Sequence, residues 1–166
     1  NPAIPREDVH SYSEACSDLG MAFQSVAARL VREQSRLKSF IESNFSEVDP
    51  MAGQVALYMF AVSLRVYEQA GGRLKKVNGM DLSAAQKRVQ ESLEGLLPLD
   101  DGFPGRAKGL EWRAQPHLLD EILWALYERD DVDRKDEEAG LDDNQSAMIY
   151  LMLWTAIEAL DSKWRP

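Results

Sequence analysis

The chain has 166 residues, of which 45% are hydrophobic and 28% are charged, a balance typical of one globular domain spanning residues 1–166. Its net charge of −9 and its pI near 4.7 disfavour binding to nucleic-acid phosphates or to an anionic membrane surface. Apolar runs reach only eight residues, too few to cross a bilayer, so we expect no membrane partner.

Residues 6–44 are predicted to form one long helix with a coiled-coil-like seam. Its apolar residues recur at steps of three and four, apart from Glu33. A straight helix of this length would be roughly 57 Å long, unless Gly20 bends it, and would overhang a small domain in a way that suggests dimerisation. The stripe consists of Val9, Tyr12, Cys16, Leu19, Phe23, Val26, Leu30, Leu37 and Phe40.

Cys16 is the only cysteine, and it lies in that stripe. We therefore expect a small buried core residue rather than a nucleophile. A chain with one cysteine forms no internal disulfide, which fits a reducing compartment and predicts a cytoplasmic protein.

The second predicted helix begins at Asp49-Pro50, an N-cap followed by proline, and ends before Gly71-Gly72. It is apolar all round, which is typical of a buried central helix. A third helix is expected from a capping box at 83–86 to near Pro98, and Asn78-Gly79 is a candidate hairpin turn with short flanks.

Residues 97–116 are predicted to form a long surface loop that Phe103 anchors, with Trp112 as a second candidate anchor. A fourth helix over about 116–129 and a fifth over about 143–162 follow, and an acidic connection joins them. The predicted fold is therefore all-α, a bundle of about five main helices with a long N-terminal helix. Asp142 and Asp143 are expected to cap the fifth helix.

Two carboxylate pairs at helical spacing, Glu91 with Glu94 and Glu158 with Asp161, are the candidate metal ligands. An ExxE and an ExxD on neighbouring helices resemble the magnesium site of MazG-like nucleotide pyrophosphohydrolases. That resemblance implies metal-dependent hydrolysis of nucleotide phosphates. Here a loop and a further helix separate the pairs. Helical geometry also places Glu91 about 180° and Glu158 about 140° from the apolar stripes, so both are expected to face water.

Other candidate sites are incomplete. Two ExxH-like groups could supply a di-iron bundle, but the second is reversed and His10 falls outside the seam. The segment 102–109 lacks the spacing of a phosphate loop, and residues 131–135 lack the ligands of a calcium loop. The ExxH-like groups are Glu7, His10 and Glu14 in the first helix and His117, Asp120 and Glu121 in the fourth. We expect no cofactor.

The segment 128–145 has nine acidic and three basic residues. Beside it, the fourth helix turns its large aromatic residues away from a core face that contains Leu118, Leu119, Ile122 and Leu126. Aromatic anchors within a charged rim are typical of a protein interface. Alternatively, Trp124 and Tyr127 pack under the 97–116 loop or against another helix; if the loop covers them, the acidic segment is only a solvated connection. The candidate partner-binding residues are Asp120, Trp124, Tyr127, Asp130, Asp131, Asp133, Asp136, Glu137 and Glu138.

The fifth helix is also apolar on nearly all sides, because Met148 and Leu151 lie away from the face that contains Ile149 and Leu153. It is therefore either central or covered by a second subunit, and we predict a homodimer. The preferred function is a non-enzymatic helical protein-interaction module, adaptor-, antitoxin- or immunity-like, which binds a basic partner protein. The metal-dependent hydrolase is the alternative.

Overall fold

A computed structural model describes residues 1–45, 49–110, 112–128 and 140–166. The fold is all-α, as predicted, with helices connected by short segments and a single pair of two-residue strands in the described ranges. The helices are α1 (Arg6–Leu19), α2 (Phe23–Glu33), α3 (Ser35–Phe45), α4 (Pro50–Ala70), α5 (Gly79–Leu93), α6 (Phe103–Lys108), α7 (Pro116–Leu123) and α8 (Asp143–Lys163). The strands β1 (Arg73–Leu74) and β2 (Trp164–Arg165) pair in antiparallel fashion.

The N-terminal segment is helical from Arg6 to Phe45, but it is not one straight rod. A 3-10 turn at Gly20–Ala22 separates α1 from α2, and Gln34 leaves the helical conformation with φ −120° and ψ 58°. The Gln34 side chain instead accepts a hydrogen bond from the Val77 amide and donates one to the Lys75 carbonyl. These breaks let α1, α2 and α3 each pack on α4, so the expected overhang does not form.

Helix α4 begins as the sequence predicts, because the Asp49 carboxylate accepts a hydrogen bond from the Ala52 amide at 3.2 Å and Pro50 occupies the first turn. The helix ends at Gly71, where φ is +92°. Gly72 also has a positive φ, and a Cβ there would collide with the Arg165 carbonyl of the neighbouring strand. The glycine pair thus allows the chain to turn and pair with β2.

Helix α8 is the second central helix, with buried residues on all its faces, and it packs against α4 and α5. Its N-terminus is a capping box in which Asp142 accepts from the Gln145 amide at 2.7 Å, which confirms Asp142 as a cap. Met148 is half-buried and Leu151 is buried within this chain. The apolar back of the helix therefore needs no second subunit to cover it.

The segment before α5 differs from the prediction. Asn78 is the N-cap of this helix and forms a capping box with Asp81, so the helix begins at Gly79, four residues before Ser83, and Asn78-Gly79 is not a hairpin turn. The capping pattern at 83–86 lies inside the helix.

The predicted loop at 97–116 contains the short helix α6, and Phe103 is fully buried, as expected for its anchor. Trp112 is 46% exposed, with its ring 5.5 Å from that of Trp154. Helix α7 continues into one π-helical turn, Trp124–Glu128. No helix in the described ranges is long and apolar enough to cross a membrane.

Candidate functional site

The centre of the predicted partner surface is Trp124, at the junction of α7 and the π-helical turn. It is 37% exposed, and its ring meets that of His10 edge to face, with centroids 6.2 Å apart. Trp124 lies between two hollows: an apolar cavity of about 360 Å³ between α1, α4 and α7, and a polar hollow of about 480 Å³ beside α6. An aromatic residue in this position can contact a ligand in either hollow.

Asp120, one turn before Trp124, is already paired within the chain. Its carboxylate lies 2.7 Å from the Arg113 guanidinium and 3.7 Å from that of Arg6, and its side chain is 13% exposed. Arg113 is buried and also donates to the Leu110 and Lys108 carbonyls. Asp120 therefore fixes the segment before α7 against this helix.

Tyr127 is covered, as the alternative interpretation of the sequence anticipated. Its ring is half-buried with its centroid 6.5 Å from that of Phe103 in the 97–116 segment. Its hydroxyl is buried and has no hydrogen-bond partner among the described residues, and burial raises its pKa above the ordinary value. Tyr127 thus joins the π-helical turn to the core, and Trp124 is the aromatic residue that remains at the surface.

The six acidic candidates of the connection, Asp130, Asp131, Asp133, Asp136, Glu137 and Glu138, lie outside the described residues. The described carboxylates nearest in sequence are Glu128, which is exposed, and Asp142 and Asp143 at the start of α8. The contribution of the acidic segment to the partner surface therefore remains a prediction from the sequence.

The structure adds two carboxylates that the partner-surface prediction omitted. Glu14 of α1 and Glu121 of α7 lie on either side of the His10 imidazole, with Glu121 Oε1 3.0 Å from Nδ1 and Glu14 Oε1 3.5 Å from Nε2. Both carboxylates line the apolar cavity next to Trp124. The helical spacing of Glu121 and Trp124 places them on one face, but their proximity to α1 depends on tertiary packing.

The apolar cavity is lined mainly by hydrophobic side chains of α4 and α7, including Val55, Met59, Val62 and Ile122. Ser13 of α1 also lines it, and its hydroxyl is buried without a hydrogen-bond partner in the described part of the chain. A buried hydroxyl without a partner can form a hydrogen bond with a bound ligand. The cavity thus combines an apolar floor with polar groups on its α1 side.

The four carboxylates of the alternative metal site are not brought together. Glu91 and Glu94 are exposed at the end of α5. Glu158 is only 6% exposed, which corrects the expectation that it faces water: it accepts from the Ala114 amide, Trp154 Nε1 and Arg88 Nε at 2.8, 3.1 and 3.4 Å. Asp161 accepts from Tyr67 and Gln115.

The carboxylates of Glu158 and Asp161 therefore already accept hydrogen bonds from groups within the protein. In the described ranges, no group of three or more His, Cys, Asp or Glu side chains is arranged to hold a metal ion. This finding covers His10 with Glu14 and Glu121 as well. The arrangement of Glu158 and Asp161 is that of a structural network, in which one oxygen of each carboxylate accepts from donors that the fold largely buries.

Comparison with known proteins finds no match: no protein family, no curated protein and no solved structure is similar to this chain.

Proposed function

We propose that the chain is a non-enzymatic protein-interaction module that binds a basic partner protein through the surface around Trp124. The observation that carries this proposal is the position of Trp124, which is partly exposed at an apolar cavity that Glu14 and Glu121 also line. Aromatic residues at the edge of an apolar pocket, surrounded by charges, are the residues that contribute most to protein binding. This chemistry suits an adaptor-, antitoxin- or immunity-like protein in the cytoplasm.

The charge of this surface favours a basic partner. Glu14, Glu121 and Glu128 lie around Trp124, with Arg6 and Lys108 on the side of α6, and the acidic segment 130–138 follows directly in the sequence. Complementary charge accelerates encounter and discriminates between partners more than it adds to affinity. We therefore expect association to be strongest at low salt, where screening is least.

Asp120 and Tyr127 have a supporting role in this proposal. The ion pair of Asp120 with Arg113 and the packing of Tyr127 on Phe103 hold the two ends of the turn that contains Trp124. Fixing an anchor residue before binding lowers the conformational entropy lost in the complex. Replacing either residue should therefore weaken binding indirectly.

Affinity capture from the native cytosol tests the proposal, with the purified chain and two tryptophan variants as baits. Trp124→Ala removes the proposed anchor, and Trp112→Ala is the matched control because Trp112 is also exposed but lies outside both hollows. We expect the chain and the control to retain the same Lys/Arg-rich protein, released by salt, and Trp124→Ala to lose it. Equal retention by all three baits would contradict the proposal.

We also propose that the chain forms a homodimer, through a surface other than those the sequence indicated. Leu19 and Met21 are 44% and 82% exposed where α1 meets α2, beside a hollow lined by Phe23, Leu57 and Ala61. A protruding apolar side chain beside an apolar hollow can pair with a two-fold related copy. Sedimentation should show a dimer that Met21→Glu converts to monomer, and a monomer at high concentration of the unmodified chain would contradict this.

A further inference from the structure

We infer that the apolar cavity between α1, α4 and α7 receives the apolar anchor residues of an amphipathic, basic helix of the partner. This inference rests on the proposed function and specifies the partner's chemistry. A helix of this kind presents apolar residues at i, i+3, i+4 and i+7 to a groove, with its charged residues at the edges.

The size and the lining of the cavity suit apolar side chains. Its volume of about 360 Å³ lies at the lower end of the range for binding pockets, roughly 300–1,000 Å³. Val55, Met59 and Val62 of α4 and Ile122 of α7 provide hydrophobic contact. Burying an apolar side chain there would remove apolar surface from water and so favour association.

The charges at the cavity select a cationic neighbour for that anchor. Among the described residues that line it, only Glu14 and Glu121 are charged, and both are acidic. The two carboxylates lie 3.5 and 3.0 Å from the ring nitrogens of His10, so both are held next to each other at the edge of α1, where they can accept hydrogen bonds. A Lys or Arg beside the anchor would meet the same two carboxylates.

Two other hollows in the described part of the chain lack this combination. The hollow between α2 and α4 has apolar walls but no charged residue among those described. The polar hollow beside α6 contains Arg6 and Lys108 as well as acidic residues, so its charge is mixed. Unlike these two hollows, the cavity between α1, α4 and α7 pairs apolar side chains with carboxylates, and none of its described lining residues is Lys or Arg.

Two features of the cavity lining add specific contacts. The ring of Trp124 forms part of the wall, and can pack on a helix that enters the groove or stack with a guanidinium. The buried Ser13 hydroxyl lacks a partner among the described residues and can hydrogen-bond to a polar group of the partner helix. The lining therefore favours a helix that is apolar on one face and cationic beside it.

The experiment uses two synthetic helical peptides of equal charge. One carries Leu at i, i+3, i+4 and i+7 among lysines, and the other replaces those leucines by serine. Binding is followed through the δ1-methyl resonances of the five isoleucines. We expect the Leu/Lys peptide to shift Ile122, which lines the cavity, and to leave Ile149 in the core unchanged. The Ser/Lys peptide should bind weakly and should be released by salt.

Two pairs of variants separate the cavity from the rest of the surface. Val55→Phe fills the cavity, and Leu82→Phe is its control because Leu82 of α5 is also half-buried but lines neither the cavity nor the α2–α4 hollow. Val55→Phe should weaken binding of the Leu/Lys peptide by roughly tenfold or more, as loss of a buried anchor does. Glu121→Gln should also weaken it, whereas the exposed control Glu91→Gln should not. Urea unfolding verifies that each variant is folded.

The outcomes distinguish this inference from the proposed function. If both peptides bind equally, and Trp124→Ala weakens them while Val55→Phe does not, the basic-partner surface stands and the cavity inference is overturned. If neither peptide binds, the inference is also overturned, and the capture experiment with Trp124→Ala decides the proposed function independently.

Discussion

Replacing Glu158 by alanine is predicted to destabilise the fold severely, because this carboxylate satisfies buried donors. Its Oε2 accepts from the Ala114 amide at 2.8 Å and from Trp154 Nε1 at 3.1 Å, while Arg88 Nε lies 3.4 Å from Oε1. Alanine would leave the first two donors without an acceptor, at about 1–3 kcal/mol each. The Arg88 side chain is 41% exposed, so water can solvate its guanidinium, and losing the ion pair with Glu158 adds little to the cost of the substitution.

The expected cost of Glu158→Ala is therefore about 3–4 kcal/mol, a large share of the roughly 5–15 kcal/mol by which domains are stable. Glu158→Gln retains one oxygen for Ala114 and Trp154 but turns an amide NH₂ toward Arg88, so it should cost less, about 1–2 kcal/mol. Urea unfolding followed by circular dichroism measures both, and Glu158→Ala should lower the midpoint by about 1 M or more.

The matched control is Glu91→Ala, because Glu91 is exposed on the neighbouring helix. This variant should lie within about 0.5 kcal/mol of the unmodified chain, as surface substitutions usually do. Equal stability of Glu158→Ala and Glu91→Ala would refute a structural role of Glu158. A tight magnesium or manganese signal in calorimetry that both variants abolish would support the hydrolase alternative instead.

Further predictions concern helix capping, the acidic segment, the cysteine and alkaline pH. Asp142→Ala should cost about 1 kcal/mol in urea unfolding, because the amide of Gln145 loses its cap. Replacing the six acidic residues between 130 and 138 by Asn or Gln should leave the unfolding temperature unchanged or slightly higher, because repulsion is relieved. Burial covers the Cys16 thiol and raises its pKa, so a thiol reagent such as DTNB should react only after denaturation. Burial also raises the pKa of Tyr150 to about 12, because the folded state favours the neutral phenol. The stability that this phenol contributes is complete below pH ~10 and is lost as the pH rises toward 12. Urea unfolding at a series of alkaline pH values would measure this loss.

Much of the architecture could be predicted because local signals and tertiary structure agree. Asp49-Pro50 begins α4 and Asp142 caps α8, since each satisfies free amides of the following helix without help from distant residues. The burial of Phe103 was predictable because the Gly- and Pro-rich segment 97–116 has only two large aromatic residues, Phe103 and Trp112.

The errors arose where distant residues decide the local structure. Gln34 interrupts the N-terminal helical segment because its side chain binds the backbone near Val77, a contact that no helical periodicity reveals. Glu158 lies far from the apolar stripe of α8, yet it is buried because α8 is central and even its polar face is covered. A helical wheel assigns faces within one helix, but it does not show which faces other helices cover.

The candidate site was partly predictable for the same reason. The spacing within one helix indicated that Trp124 points away from the core face of α7, and Trp124 is indeed partly exposed. The cavity beside it requires α1 and α4, whose contribution of Glu14, Val55 and Met59 depends on packing between segments far apart in sequence. The carboxylates of α1 and α7 were visible in the sequence as an incomplete metal motif, not as part of this surface.

The central claim is that the surface around Trp124 binds a basic partner. The most direct test is the dissociation constant of the captured Lys/Arg-rich protein for the unmodified chain, Trp124→Ala and Trp112→Ala, measured by calorimetry at low and at moderate salt. We expect Trp124→Ala to weaken binding by roughly thirtyfold, as loss of an interface anchor worth about 2 kcal/mol does, and Trp112→Ala to leave it unchanged. Equal dissociation constants for the two variants, or binding that is insensitive to salt, would contradict it.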